Sequence, residues 1–503
     1  MDLKIQEKLE EVKKYNQRIS ELGKLSSLAY WDMKMSMPSK ATEQRASTLG
    51  FLSGEIFKMV TSDKVKEFID FFEPIMNELD LVDRSMIKAL KKSYYEIKNI
   101  PQDKFEEYTV ATSLGEAAWE EAKAKKDFEI FKPKLENIVS LLREFTEYYG
   151  YEENRYDALL NQYEEGLTVK KIDKLFNELK EGILNLLSRI KNSNKVVTSE
   201  LLEGLYSIEA QKELSEYLLD VIKFDKEAGR LDETTHPFTL NMGNKDVRIT
   251  THYYEDNLLS NIFSIIHEGG HALYEQHIPD TLINTGLDGG ASMGIHESQS
   301  RFYENIVGRS KEFLSFILPH IKEKFPSLSD ITLEGFYEGV NCVKPSLIRI
   351  EADELTYSLH IIIRYEIEKA LINGEIEVED LPKVWNKKYE EYLGVSPKDD
   401  EEGVLQDMHW SAGNIGYFPS YALGNLYGGQ FLNTMLKDNP RAITEVVNGD
   451  LTYINNWLKD NIHVHGGIYT PDELVRKVTG EELKTRYFLD YLEEKYTKLY
   501  DLK

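Results

Sequence analysis

The sequence predicts a mostly α-helical protein with one short β-hairpin, and three observations support this fold class. Apolar residues recur at three- and four-residue steps in long segments, as at Ile5, Leu9 and Val12 near the N-terminus. The segment TPDEL, which starts at Thr470, has the residues of a helix N-cap, a proline at the first helical position and a capping box. Strand patterns are confined to two short neighbouring segments.

The predicted elements follow the chain in order. After the N-terminal helix, the helical spacing of apolar residues returns at residues 168–190 and again at residues 381–393. The strand candidates are residues 238–242 and 246–253, and the letters GNK between them predict a short hairpin. No internal repeat and no linker rich in Pro, Gly or Ser divides the chain, so we expect residues 1–503 to form a single domain.

Composition excludes several kinds of partner. The 61 Lys and Arg residues against 87 Asp and Glu residues give a net charge of -26, which repels a nucleic-acid backbone. The start has early charges without an apolar h-region, and no apolar run approaches the roughly 18 residues of a membrane span. The one cysteine, Cys342, is interpreted as a small buried residue and fits a reducing compartment. We therefore expect a cytoplasmic protein that binds neither nucleic acid nor membranes.

The segment IFSIIHEGGHALYEQH, residues 262–277, contains the pattern His-Glu-x-x-His. On a helix His267 and His271 stack on one face, so both imidazoles can reach one metal ion, while Glu268 points elsewhere. In this pattern the glutamate is not a ligand but the base that acts on water beside the metal. The alternative is an amphipathic helix with two satisfied histidines. The apolar residues before the motif would bury them, however, and buried histidines need partners.

The third protein ligand has to come from another segment. His277 stands at the third-histidine position of H-E-x-x-H-x-x-G-x-x-H, but Tyr274 replaces the glycine, and a continuing helix turns His277 away by about 80°. The segment GASMGIHESQSRFYENIVGRS offers Glu297 and its neighbour His296, and spacing alone does not choose between them. A carboxylate would complete a His₂Glu site whose fourth position stays open, as in catalytic zinc sites. By contrast, HVHGG at residues 463–467 is predicted to end a helix.

Seven further motifs accompany HEGGH in order along the chain. They are WDMKMSMP (31–38), HPF (236–238), DVRIT (246–250), HESQSR (296–301), IRIEAD (348–353), GVLQDMHW (403–410) and GYFPSYALG (416–424). With these motifs the sequence resembles the carboxypeptidase Taq family of metallocarboxypeptidases over most of its length. One departure is visible, since SKATEQRAS after Pro38 lacks the glycines often found there, and it concerns the N-terminal region rather than the metal site.

The resemblance implies a fold and an activity. The expected protein is a large helical zincin-like scaffold with a deep substrate groove, usually a homodimer, that removes C-terminal amino acids from peptides. We expect about residues 1–230 to form one wall of the groove and about residues 231–430 to carry the metal and catalytic motifs.

The resemblance also implies roles for site residues. One zinc ion per subunit, or sometimes cobalt, is expected on three ligands, namely His267, His271 and Glu297. Glu268 is the implied catalytic base. The tetrahedral oxyanion of the reaction needs hydrogen-bond donors besides the metal. Tyr421 and His409 lie in aromatic, glycine-punctuated segments from which they either donate or simply pack.

Cutting only at a C-terminus requires a cation that pairs with the free carboxylate, and arginine does this best. The candidates are Arg349 and Arg248, and the alternative for each is an internal salt bridge, with Asp246 in the case of Arg248. The resemblance favours Arg349 as the anchor, with Arg248 shaping the end of the groove. The expected counter-charges of Arg349 are Glu351, Asp353 and Glu354. His236, held extended by the proline that follows it, is predicted to contact substrate or support the site, with plain packing as the alternative.

Two other functions share most of these features. An oligopeptide endopeptidase or dipeptidase on a similar scaffold has the same metal chemistry and differs in what closes the groove. An inactive peptide-binding protein would carry a vestigial site, which the presence of both histidines and Glu268 disfavours.

Overall fold

The computed structural model describes residues 3–234 and 237–503, most of which are α-helical. The first helices are α1 (Leu3–Met35), α2 (Thr42–Val60), α3 (Asp63–Phe72), α4 (Leu81–Lys98), α5 (Gln102–Lys125), α6 (Phe128–Tyr149), α7 (Asp157–Tyr163), α8 (Val169–Lys191) and α9 (Ile208–Ile222). Three strands follow, β1 (Gly229–Glu233), β2 (Thr239–Asn241) and β3 (Val247–Thr251). The later helices are α10 (Leu258–His277), α11 (Met293–Arg301), α12 (Lys311–Lys324), α13 (Leu333–Val340), α14 (Tyr357–Asn373), α15 (Leu381–Leu393), α16 (Pro419–Asp438), α17 (Thr452–Asn461), α18 (Pro471–Thr479) and α19 (Arg486–Leu499). The predicted fold class is confirmed.

Two of the predicted helices begin at residues whose side chains cap them. The Thr168 side chain accepts a hydrogen bond from the Lys171 N–H and starts α8. The capping box at α18 is present, because Thr470 and Glu473 each accept a hydrogen bond from the other's backbone N–H. α15 has the predicted bounds. The start of α18 was predictable because caps act within one turn of the chain.

The sheet has one strand more than the sequence predicts. β2 and β3 form the expected antiparallel hairpin, with Leu240 opposite Arg248. β1 pairs with β3 in parallel, which places β3 in the centre. β3 is buried except at Arg248, whereas β1, an edge strand of sequence GRLDE, is half exposed and lacks the apolar alternation that reveals a strand. α10 packs against β3, so the sheet lies beside the HEGGH helix.

Buried apolar side chains form two cores of unequal size. The larger core extends from α5 to α19. The smaller core joins α1, α3 and α4, and it includes Leu287 from much later in the chain. The buried side chains of α1, which is 33 residues long, are Leu9, Val12 and Trp31. The single domain and the groove wall formed by the N-terminal part stay predictions.

Two features concern the sequence-based expectations about membranes and about the cysteine. Within the described residues, no helix combines the length and the apolar character needed to cross a bilayer. Cys342 is half-buried, and its thiol donates a hydrogen bond to the Val197 carbonyl at 3.3 Å. The expectation of a buried cysteine is met only in part, because Cys342 lies in the loop after α13.

Candidate metal centre

The HEGGH motif lies in the buried middle of α10. Asn257 caps this helix by accepting a hydrogen bond from the Ser260 N–H, and the apolar turn before the motif is buried. His267 and His271 lie one turn apart, with ring centroids separated by 4.9 Å. The helix therefore presents two imidazoles on one face, as the spacing predicts.

Glu297 on α11 supplies a third donor. Its Oε2 lies 3.7 Å from Nε2 of His267 and 3.3 Å from Nε2 of His271. Donor atoms bound to a tetrahedral zinc ion at about 2.0–2.2 Å lie roughly 3.3–3.6 Å apart. The three residues thus fit a small divalent cation. Among the described residues, no other group of His, Cys and acidic side chains brings its donor atoms within 4.8 Å of one another.

Three helices approach closely around these ligands because glycines remove the side chains at the contacts. A Cβ atom at Gly270 of α10 would lie 2.7 Å from the Gln299 carbonyl oxygen and 2.8 Å from Cα of Ser300. A Cβ atom at Gly424 of α16 would lie 2.5 Å from Cγ of Glu297. Both contacts are too short for real atoms. The distance from Glu297 to the histidines therefore depends on two positions that have no room for a side chain.

Two charged residues, Glu304 and Arg301, make hydrogen bonds to the candidate ligands. Glu304 lies 2.8 Å from Nδ1 of His267, which leaves Nε2 of that ring for the ion. Arg301 donates from Nε to Glu297 Oε1 at 2.7 Å and from Nη1 to Glu304 Oε2 at 3.0 Å. Glu304 lies in the π-helical turn Phe302–Val307 that follows α11. Partners of this kind orient metal ligands and fix the tautomer of a histidine.

His271 is held by a longer chain of hydrogen bonds. Its Nδ1 lies 2.6 Å from Nδ1 of His296, whose Nε2 lies 2.6 Å from Glu275 Oε1. Asn241 of β2 donates to the other oxygen of Glu275. A carboxylate only accepts, so His296 carries its proton on Nε2 and accepts at Nδ1 from His271, whose Nε2 faces the ion. His296 thus lies behind His271, and the geometry favours Glu297 over His296 as the third donor.

We expect Glu297→Ala to lose most of the affinity for metal. His296→Ala should weaken binding by roughly 10–100-fold, because His271 loses the acceptor that fixes its tautomer. Metal content after dialysis against a graded series of chelators measures both effects. His277→Ala, on the same helix as His271 but outside its hydrogen-bond chain, is the matched control and should retain the parental affinity. Weaker binding in His296→Ala than in Glu297→Ala would contradict the ligand assignment.

The other histidines considered from the sequence lie away from the ligands. Nδ1 of His277 lies 2.9 Å from Nδ1 of His463, and Nε2 of His463 lies 2.8 Å from Oε1 of Gln299. HVHGG forms a short turn after α17, with Gly466 at a φ of 47°. It therefore ends a helix, as predicted. His277 is not in the ligand group, as expected. His277 is the last residue of α10 and is half-buried against His463.

Burial and charge set the ionisation of the site. Burial raises the pKa of Glu268 above its usual value. Burial acts in the same direction on Glu297, but the Arg301 guanidinium and the neighbouring imidazoles outweigh it and hold the pKa of Glu297 well below its usual range. Burial lowers the pKa of His271 to about 3. Glu297 and His271 are therefore in the deprotonated forms that bind metal at neutral pH.

The hairpin fixes the direction of the Glu268 carboxylate. The hydroxyl of Thr239 on β2 donates a hydrogen bond to Glu268 Oε2 at 2.5 Å. Glu268 is 7 % exposed, so this contact restricts a side chain that has little room to move. The sequence shows the hairpin but not this contact.

Arg349 lies in a buried cluster of opposite charges. It donates to Asp407 Oδ1 from Nε at 3.1 Å and from Nη2 at 2.8 Å. Arg364 of α14 donates to Oδ2 of the same carboxylate from Nε at 2.7 Å and from Nη2 at 2.5 Å. The Arg349 side chain is 8 % exposed and that of Arg364 is fully buried. Two arginines share one carboxylate, so the cluster holds a net positive charge.

The counter-charges expected for Arg349 are wrong. Residues 349–351 form a single 3₁₀ turn rather than part of a longer helix, so the acidic side chains that follow point away from Arg349. The Asp353 carboxylate accepts hydrogen bonds from Thr356 at the start of α14, and Glu354 pairs with Lys495 at 2.5 Å. Asp407, 58 residues further on, takes their place.

His409 and Tyr421 meet through a hydrogen bond. Nε2 of His409 lies 3.1 Å from the Tyr421 hydroxyl. Burial, together with the two nearby arginines, lowers the pKa of His409 to about 3, so its ring is neutral. Burial raises the pKa of Tyr421 well above its usual value, so the hydroxyl keeps its proton. The guanidinium of Arg349 lies 5.0 Å from the centre of the Tyr421 ring, which joins this pair to the arginine cluster.

Arg248 has two partners of its own. It donates from Nε and Nη2 to Asp246 at 2.8 and 2.9 Å, which is the ion pair considered from the sequence. Its guanidinium also lies 5.4 Å from the centre of the Trp31 ring. Arg248 therefore ties the end of α1 to the hairpin. His236 lies outside the described residues.

Sequence reasoning missed several residues that surround the site. The signal that could have found Asp407 is the motif GVLQDMHW, which carries His409 as well. No pattern in a single sequence identifies the others, since each acts through a contact with a distant segment. These residues are Thr239, Glu275, Tyr357 and Arg364.

A buried His-Glu-x-x-His helix with a glutamate in reach as a third donor, in a mostly helical chain, is typical of a metallopeptidase. The sequence profile of the carboxypeptidase Taq (M32) metallopeptidase family matches residues 11–496. The chain belongs to this family and is a metallocarboxypeptidase. The resemblance seen in the sequence is thereby confirmed.

Relatives match the chain over nearly its full length. Carboxypeptidase 1 of Bacillus subtilis is 46% identical over 484 residues, which cover 96% of this chain and 97% of that protein. Thermostable carboxypeptidase 1 of Thermus thermophilus is 41% identical, with 95% of this chain and 96% of that protein covered. The Apo-Mg structure of Pyrococcus furiosus carboxypeptidase superposes with a TM-score of 0.95 at 38% identity, covering 97% of this chain and 99% of that chain.

Proposed function

We propose that this metallocarboxypeptidase binds one zinc ion per subunit, with cobalt as the alternative, and cleaves the last peptide bond of its substrates. The observation that carries the proposal is the donor set of His267, His271 and Glu297, whose ligand atoms lie within 4.8 Å of one another. Three nitrogen and oxygen donors suit zinc and leave a coordination position open. The ion, when bound, supplies positive charge that polarises a peptide carbonyl and acidifies water.

Glu268 is the proposed general base. The Thr239 hydroxyl holds one carboxylate oxygen in a fixed direction at 2.5 Å. Burial raises the pKa of Glu268, and a raised pKa suits a carboxylate that must both take and release a proton near neutral pH. Glu268 accepts a proton from the attacking water and delivers it to the nitrogen of the departing amino acid.

Arg349 is the proposed anchor for the C-terminal carboxylate of the substrate. Arg364 and Arg349 share Asp407, so one positive charge is left over for an anion. An internal salt bridge alone explains the contact with Asp407 but leaves this charge without a counter-ion. A carboxylate bound here would be held by a planar guanidinium that is itself fixed by its neighbours.

Tyr421 and His409 are the proposed donors to the oxyanion. If His409 donates from Nε2 to the tyrosine oxygen, the Tyr421 proton is free to point at the substrate. A neutral histidine and a protonated tyrosine meet this requirement. Donors placed where negative charge develops stabilise the transition state more than the substrate.

Arg248 and His236 have proposed roles at the rim of the site. Arg248 shapes the end of the groove, because its charge is already paired with Asp246 and its guanidinium faces Trp31 of α1. His236, which precedes Pro237 in the sequence, is proposed to contact substrate or to support the metal site.

A pair of peptides that differ only at the C-terminus tests the function. We expect the metal-loaded protein to release single residues from the peptide with a free carboxylate and to leave the amidated peptide intact. Cleavage of the amidated peptide would favour an oligopeptide endopeptidase. Binding of either peptide without cleavage, in protein that holds about one metal per subunit, would favour an inactive peptide-binding protein.

A homodimer in the cytoplasm is proposed as the working state. The resemblance implies a homodimer, and one cysteine without a disulfide partner in the chain fits a reducing compartment. A mass in solution of about twice 58.3 kDa would support the dimer. Fractionation of cells of the source organism tests the compartment.

A further inference from the structure

We propose that Tyr357 is a positioning residue that holds the carboxylate anchor at a fixed distance from the metal ligands. Tyr357 contacts Arg349 through its hydroxyl and Arg301 through its ring, and Arg301 in turn binds the ligand Glu297. The inference rests on the proposed function in one respect, namely that Arg349 binds the substrate carboxylate.

The first contact is a hydrogen bond to the anchor. Nη1 of Arg349 donates to the Tyr357 hydroxyl at 3.2 Å in a buried environment. Asp407 holds the opposite side of the guanidinium through Nε and Nη2. The fork of Arg349 is therefore held on two sides, so its orientation is set before substrate arrives.

The second contact is a cation–π interaction with the metal side of the site. The guanidinium carbon of Arg301 lies 4.0 Å from the centre of the Tyr357 ring, well within the range of such contacts. Arg301 binds Glu297 and also Glu304, the partner of His267. The ring thus covers an arginine that binds both the candidate ligand Glu297 and Glu304, the partner of His267.

The position of Tyr357 itself is rigid. It is 5 % exposed and is the first residue of α14, and its N–H donates to the Asp353 carbonyl at 2.9 Å. The Asp353 carboxylate holds the preceding Thr356 by two hydrogen bonds. A tyrosine fixed in this way has little freedom to follow movements of either arginine.

A fixed distance matters because the reaction removes a single residue. The scissile carbonyl has to lie at the metal while the carboxylate one residue further on lies at the anchor. A misplacement of about 1 Å in such a pair can cost around 10²-fold in rate. Tyr357 bridges the two groups and so sets the separation at which a terminal peptide bond is held.

The test uses Tyr357→Phe and Tyr357→Leu beside a matched control. Tyr357→Phe keeps the ring over Arg301 and loses only the hydroxyl, so metal affinity should stay parental while kcat/KM falls roughly tenfold, mainly through a higher KM. Tyr357→Leu also loses the ring, so metal affinity should fall by roughly tenfold as well. The control is Tyr365→Phe on the same helix, which loses a partly buried hydrogen bond of 2.6 Å to Asp173, away from the site, and should change neither quantity.

A double variant separates failure of this inference from failure of the proposed function. In Arg349→Ala, the further change Tyr357→Phe should have no effect on kcat/KM, because the hydroxyl has lost its partner. If Arg349→Ala lowers kcat/KM but Tyr357→Phe behaves like Tyr365→Phe, the inference is overturned and the anchor stands. If Arg349→Ala has the parental kcat/KM, the anchor and the inference both fail. Should Tyr357→Leu not fold, the Phe variant and the double variant decide alone.

Discussion

Replacing Glu268 by glutamine is expected to leave the metal bound and to lower kcat by about 10²–10⁴-fold or more. The amide has nearly the size of the carboxylate, and its oxygen can still accept the hydrogen bond from Thr239. It cannot take a proton from water, so the chemical step loses its base. Measurement of kcat together with the metal content of the same preparation tests this result.

Two further outcomes sharpen the test of Glu268. Thr239→Val removes the hydroxyl that directs the carboxylate but leaves the carboxylate itself, so its loss of kcat should be smaller than that of Glu268→Gln. Loss of metal together with activity in Glu268→Gln would contradict the assignment, because it would point to Glu268 as a ligand.

Arg349→Ala is expected to lower kcat/KM by roughly 30-fold to several thousand-fold. This range follows from the cost of removing one side of a buried charge pair, on the order of 2–5 kcal/mol. The protein should stay folded and metal-loaded, because Asp407 keeps its bonds to Arg364. The measurement is kcat/KM on a peptide with a free C-terminal carboxylate, with metal content determined alongside.

Arg248→Ala is the matched comparison for the anchor. Arg248 is a half-buried arginine on the hairpin strand β3, and Asp246 already neutralises its charge. Its replacement should therefore lower kcat/KM less than Arg349→Ala does. A folded Arg349→Ala variant that trims peptides at the parental rate would remove Arg349 as the anchor, and a large loss in Arg248→Ala would then transfer the role to Arg248.

The parts of this protein that follow local rules were predictable from the sequence. The spacing of His267 and His271 places both rings on one helical face, whatever surrounds the helix. The start of α18 and the antiparallel hairpin likewise depend on residues close together in the chain. A sequence pattern defines the relative geometry only of residues that lie a few positions apart in the chain.

The remaining parts depend on contacts between distant segments. Spacing alone left Glu297 and His296 open, because the answer depends on how α11 packs against α10. The counter-charge of Arg349 comes from Asp407 and not from its acidic neighbours, since a single 3₁₀ turn redirects the chain. β1 was missed because a polar edge strand lacks a pattern of its own.

The two glycines at the helix contacts have a consequence for how this protein tolerates mutation. Gly270 and Gly424 have no functional group, yet a single methyl group at either position would collide with the segment that carries Glu297. In a library that contains every single substitution and is selected for activity, variants changed at these two positions should be depleted as strongly as variants changed at the ligands. For the same reason the HEGGH motif alone should not create this metal site when it is grafted into a helix of another protein. That helix would lack the close backbone packing that brings the third ligand within reach.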